Sequence, residues 1–130
     1  MQPVEDRYSL SKQERLKSSL SIKTVMDEKN IASAFPIKCF FRIVPDSGNP
    51  SQIAVVVSKR RFKHAVDRNR VKRLVREAYR LQKNNLVSEN HSFEMCWMFV
   101  GKELPNYTLV YESVSKIIRK INMFVQGSPQ

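Results

Sequence analysis

The stretch from Lys59 to Lys83 carries two patterns at once, and together they leave few folds open. At 100° per residue, Val71, Leu74, Val75, Ala78, Leu81 and Gln82 fall in one sector of about 120°, and all but Gln82 are apolar. Arg68, Asn69, Lys72, Arg73, Arg76, Arg80 and Lys83 fall in a separate sector of about 140°. The spacing predicts a helix of about four turns with one face to pack and one cationic face in water, Asp67 standing near its start as a cap. Such a helix needs a partner surface. Short apolar runs on either side, Ile53–Ser58 and Phe93–Val100, have strand length and can supply a sheet.

The same segment concentrates the charge. Lys59–Lys83 holds 11 of the 23 Lys and Arg against two acids, a net +9 out of +11 for the chain. An apolar fraction of 42% sets the protein among globular domains rather than disordered basic tails. A folded, one-sided cationic surface selects a polyanionic partner, nucleic acid first. A membrane-surface helix would need bulky apolar residues free to insert, whereas this stripe of Val, Leu and Ala suits packing on a sheet. The Arg-rich polar face also favours forked contacts with phosphate over point charges. The longest apolar run, Met95–Val100, is too short to span a bilayer, and the N-terminus is polar, so the expected location is the cytoplasm and no membrane partner is expected.

The rest of the 130 residues reads as one domain. Residues 1–17 form a polar arm, with Leu10 and Leu16 able to tuck against the body. Ser18, Ser19 and Ser21 offer N-caps for a short helix whose face is Ile22, Val25 and Met26 and which ends near Lys29. Pro36 opens a strand, Ile37–Val44. The turn chemistry of Pro45–Pro50 then predicts an antiparallel hairpin with Ile53–Ser58. After the basic helix come a polar loop and the third strand, Phe93–Val100. A last helix carries Val110, Val114, Ile117, Ile118 and Ile121 on one face, capped by Thr108. The domain is expected over residues 18–125, with 126–130 as a tail. The order α-β-β-α-β-α implies an α/β, or α+β, sandwich on a three- to four-stranded sheet.

Enzyme chemistry finds little footing. His64 and His91 stand beside no nucleophile or carboxylate in a catalytic spacing. His91 reads as a surface histidine; His64, inside the basic run, can donate to phosphate. Gly48, Gly101 and Gly127 make no phosphate-binding loop. Cys39 and Cys96 each lie in an apolar run and read as buried thiols, not as metal ligands or a disulfide. Alternation sends Phe40 and Phe41 to opposite faces of the sheet, so one of them can line a groove where bases of a single strand stack.

Val57–Arg80 resembles the signature of the bacterial ribonuclease P protein family. There a strand ending in S-V-S-K-K leads into A-V-x-R-N-R-x-K-R-L-x-R-E-A-F. This chain supplies Val57, Ser58 and Lys59, then Ala65, Val66, Arg68, Asn69, Arg70, Lys72, Arg73, Leu74, Arg76, Glu77, Ala78 and an aromatic Tyr79. The likeness extends over about residues 10 to 124.

The resemblance implies a left-handed βαβ crossover around the basic helix, where general statistics favour a right-handed one. It implies the accessory subunit of a ribonucleoprotein endonuclease that removes 5′ leaders from precursor tRNA. One protein would sit on each catalytic RNA; Mg2+ would be required by that RNA, and no cofactor would be held by the chain itself. Carried over by position, Lys59, Arg60, Arg61, Arg68, Asn69, Arg70, Lys72, Arg73 and Arg76 would contact ribonuclease P RNA; His64, from the basic run, and Arg80, from the cationic face of the helix, are expected to join them. The leader cleft would involve Ile22, Met26 and Phe41, or Phe40 if the register shifts by one. The family commonly has Phe where Ile22 and Met26 stand. It often has Gly where Phe62 and Ala54 stand, so Phe62 is either a further stacking contact or a core residue. The alternatives from the residues alone are a structural RNA-binding protein of ribosomal type and a DNA-binding regulator. The latter is disfavoured because a strand, not a second helix, precedes the basic helix.

Overall fold

A computed structural model of the chain describes residues 12–16, 18–46 and 48–127. Three helices and four strands follow in the order α1 (Ser19–Asp27), β1 (Ile31–Ala34), β2 (Ile37–Pro45), β3 (Gln52–Val57), α2 (Ala65–Gln82), β4 (His91–Phe99) and α3 (Tyr107–Val125). The strands make one sheet in the order β1-β2-β4-β3. β2 runs antiparallel to β1 and β4, and β3 runs parallel to β4.

The expected hairpin of β2 with β3 is therefore not formed. β4 lies between them, pairing Phe40 with Cys96 on one side and Ala54 with Cys96 on the other. Turn residues at Pro45–Pro50 let the chain reverse but do not choose its neighbour. Burial of β4, six of whose nine residues are buried, makes that choice by giving it an inner place in the sheet. The actual hairpin is β1–β2, turning through Phe35 and Pro36. β1, only Ile-Ala-Ser-Ala, has little strand signal of its own and owes its conformation to pairing with β2.

Both sheet faces are covered. On one, Ile37, Cys39, Phe41, Ile53, Val55, Phe93, Met95, Trp97 and Phe99 meet Val71, Val75, Ala78 and Tyr79 of α2 and all five predicted apolar residues of α3. Gln82 fits the packed face of α2 because its amide donates to Ala78 O (3.3 Å) and Tyr111 O (3.1 Å), so its burial leaves the amide N–H groups partnered. On the other face, the shorter α1 packs Val25, with Leu16 just before it, against Cys96. Ser18 caps α1, accepting from Ser21 N at 3.4 Å; Lys29, at φ +64°, ends its reach.

Local details differ from expectation. The cap of α3 is Asn106, whose Oδ1 accepts from Leu109 N at 2.8 Å, not Thr108. His64 holds the cap position of α2 without a side-chain hydrogen bond, and Asp67 lies inside the first turn. Residues 12–16, assigned by sequence to the arm, belong to the body. Leu16 N donates to Ile53 O at 2.7 Å, and Glu14 pairs with Lys83 of the turn after α2 at 2.9 Å. Leu10 lies outside the described residues.

Candidate nucleic-acid interface

The path from β3 into α2 sets out the first group of cations. Ser58 Oγ accepts from Arg60 N (3.0 Å), and Ser58 O accepts from Arg61 N (3.1 Å) and Phe62 N (3.3 Å), so a tight turn follows the strand. Phe62 then drops into the core, 5.9 Å from the ring of Phe99. It is a core residue and offers no stacking surface. Lys59, Arg60, Arg61, Lys63 and His64 are left exposed around it, and Asn69, Arg70, Arg73 and Arg76 are exposed along α2, with Lys72 half-buried.

Three basic side chains are already engaged. Arg68 Nη1 donates to Phe62 O and Lys63 O, both at 2.9 Å, and so staples the turn to the helix. Arg80 forks onto Glu77 on its own helix, and Lys83 is held by Glu14. Arg76 has the opposite environment. Partial burial, and next the charge of Arg15, lower its pKa from the ordinary value. A guanidinium stays protonated through such a shift, so Arg15 and Arg76 present two neighbouring positive charges. Sequence reasoning passed over Arg15; its β-bridge to Ile53 brings it to this surface.

Across the sheet, α1 lies over the row Phe40–Cys96–Ala54, with Ile22, Met26, Phe40, Ala54 and Val56 half-buried around it. The next row toward the carboxyl ends of β3 and β4 is Lys38–Met98–Val56, which α1 leaves partly open. That row runs into a depression bordered by Ser58, Arg60 and Arg61. Phe41 is absent from this face. It points to the opposite side, 2% exposed, with its ring 6.4 Å from Phe93 and 5.3 Å from Phe124. Of the two adjacent aromatics, Phe40 faces α1, and the assignment of Phe41 to the cleft is corrected. Lys38 and Met98 were legible from strand alternation once β2 and β4 were known to pair.

A cationic helix and an apolar, Lys-edged groove thus lie on opposite faces, joined around edge strand β3 by residues 12–16 and by the 58–64 turn. The two cysteines serve packing. Burial pushes the Cys96 thiol up to about 11 and Cys39 well above its usual value, the latter also through the charge of Cys96. Among the described residues no group of three or more His, Cys, Asp or Glu could hold a metal ion, and no helix is long and apolar enough to cross a membrane.

Comparison with known proteins agrees with this arrangement. A family model described as Ribonuclease P matches residues 10–122. A Porphyromonas gingivalis protein named ribonuclease P protein component is 38% identical over 119 residues, 88% of this chain and 87% of that one. A protein of the same name from Chlorobium phaeobacteroides is 29% identical over 130 residues, covering 88% and 89%. The Staphylococcus aureus RNase P protein superposes with a TM-score of 0.68 at 15% identity, over 87% of this chain and 99% of that one. The Thermotoga maritima protein gives 0.68 at 21%, over 82% and 96%. With its signature helix and the family match in agreement, the chain belongs to the ribonuclease P protein family.

Proposed function

We propose that this chain is the protein subunit of a ribonuclease P ribonucleoprotein, binding the catalytic RNA and the 5′ leader of precursor tRNA so that the leader is removed. The observation carrying this reading is the separation of two surfaces. α2 and the 58–64 turn offer exposed Arg and Lys in numbers suited to a phosphate backbone, while the α1 groove offers half-buried apolar side chains flanked by cations. Phosphate contacts position an RNA without reading its sequence. An apolar groove with a cationic edge holds an unpaired strand by base contact and charge together. Bond cleavage belongs to the RNA partner, with Mg2+ supplying the metal chemistry there. This chain's residues bind, orient and neutralise.

Ile22 and Met26 give the groove an aliphatic wall, leaving Phe40 as the ring that α1 packs beside. Leader binding by this protein therefore draws on Phe40 and on cations at the open row more than on stacking against α1. Reconstitution tests the reading: purified protein, a bacterial ribonuclease P RNA and precursor tRNA at low magnesium. Leader removal that depends on both protein and RNA is expected. Absence of stimulation at every salt concentration would sink it and leave an RNA-binding role without a catalytic partner.

A further inference from the structure

A second groove, of about 620 Å³, opens at the sheet end where β3 and β4 finish and β2 begins. Phe35, Leu104 and Leu109 give it apolar walls, and Lys38, Arg61 and Lys102 stand around it. All six side chains are in solvent, Phe35 with 78% of its surface exposed. Among the described residues, the single acid lining it is Glu103.

The walls are rigidly mounted. Phe35 O accepts from Ser113 Oγ of α3 at 3.1 Å, and Pro36 O accepts from Val100 N at 2.8 Å. Gly101 lets the loop after β4 close on this turn, for a Cβ there would meet the Phe99 ring at 2.8 Å and Pro36 Cβ at 3.0 Å. A large ring held outward on an anchored turn forgoes burial in the free protein. Three cations beside it leave a protein core or an acyl chain a poor match and suit an aromatic base carried on a phosphate backbone.

Continuity decides which strand supplies that base. Lys38 belongs both to this groove and to the open row Lys38–Met98–Val56 beside α1, and Arg61 lines both this groove and the depression at the row's end. The geometry points to a docking site for one unstacked leader nucleotide, its base against Phe35 and its phosphates among Lys38, Arg61 and Lys102. This rests on the reading above that the α1 groove carries the leader.

The test uses the assembled ribonucleoprotein and precursor tRNAs whose leaders are shortened one nucleotide at a time. With wild-type protein, affinity rises with leader length and then levels off. Phe35→Ala removes one step of that rise, about tenfold, within the range for a base stacked on an aromatic side chain. It leaves short-leader affinity unchanged, and Phe35→Trp restores the step. Because Phe35 is so exposed, its removal leaves the unfolding midpoint unchanged; should the midpoint fall, Lys102→Ala is expected to weaken the same step at low salt. Variants that track wild type at every length overturn the proposal while the leader reading stands. Equal loss with a leaderless tRNA assigns the groove to the catalytic RNA and overturns it. So does a protein dimer that Phe35→Ala dissolves, which assigns it to a second copy. A wild-type protein indifferent to leader length overturns this proposal and the leader reading together.

Discussion

Arg68 shows how a residue in the family signature can act on the fold. Its guanidinium is committed to the carbonyls of Phe62 and Lys63, whereas Arg70, two positions on, is exposed. Arg68→Ala should lower stability in urea unfolding by about 1.5–3 kcal/mol, the range for hydrogen bonds made by a charged group. Arg70→Ala should leave stability within about 0.5 kcal/mol and weaken RNA binding instead. The cysteines give a pH test. Cys96 titrates near 11 when folded against 9.0 as its reference, so the folded state holds its proton more tightly. That contribution is complete below pH 9 and is lost as pH rises toward 11, by roughly 2–3 kcal/mol at most. Cys96→Ala should flatten the alkaline fall in stability measured by denaturant titration at stepped pH. Apolar runs in the sequence marked both thiols as buried. Helical phase set Arg68 on the cationic face and Arg70 off it, but could not show that Arg68 is spent on turn carbonyls, because that depends on where the 58–64 turn lies.

At the scale of elements, β2 divides its two aromatics between the two faces of the sheet. Phe41→Ala should cost about 3–5 kcal/mol, the range for a large core residue, and be seen as a lower unfolding midpoint. Phe40→Ala should cost less, since Phe40 is only half-buried, and should weaken leader binding about five- to tenfold with RNA assembly intact. Equal loss of RNA assembly in both variants would contradict the division. Alternation predicted that the two rings part company, and could not say which goes where. That depends on the side of the sheet taken by α2 and α3, whose larger apolar faces claim Phe41. Helix periods were the most legible part of the chain: all five predicted residues of α3 are buried, while on α2 the predicted Leu81 stays exposed and Tyr79, outside the predicted sector, is buried. Strand pairing was the least legible, because β1 carries little apolar signal and the Pro45–Pro50 turn suits several partners.

For the whole molecule, the exposed cations of the 58–64 turn and α2 act as one field. If about six to eight phosphates are neutralised, the logarithm of affinity for the RNA should fall against that of salt with a slope near −5 to −7. Filter binding across a salt series checks this, and a slope near −1 would show that the surface is not engaged. Double substitution of Arg70 and Arg73 should make the slope shallower by about 2. The sequence by itself determined that one helix packs on a sheet and turns its charge outward, since period and composition are local properties. It also marked the family through a long spaced signature. Only the tertiary structure placed β4 between β2 and β3, drew residues 12–16 onto the body, and settled which of Phe40 and Phe41 meets α1. Those outcomes turn on competition among apolar surfaces distant in the chain, and no local pattern records which of them will win.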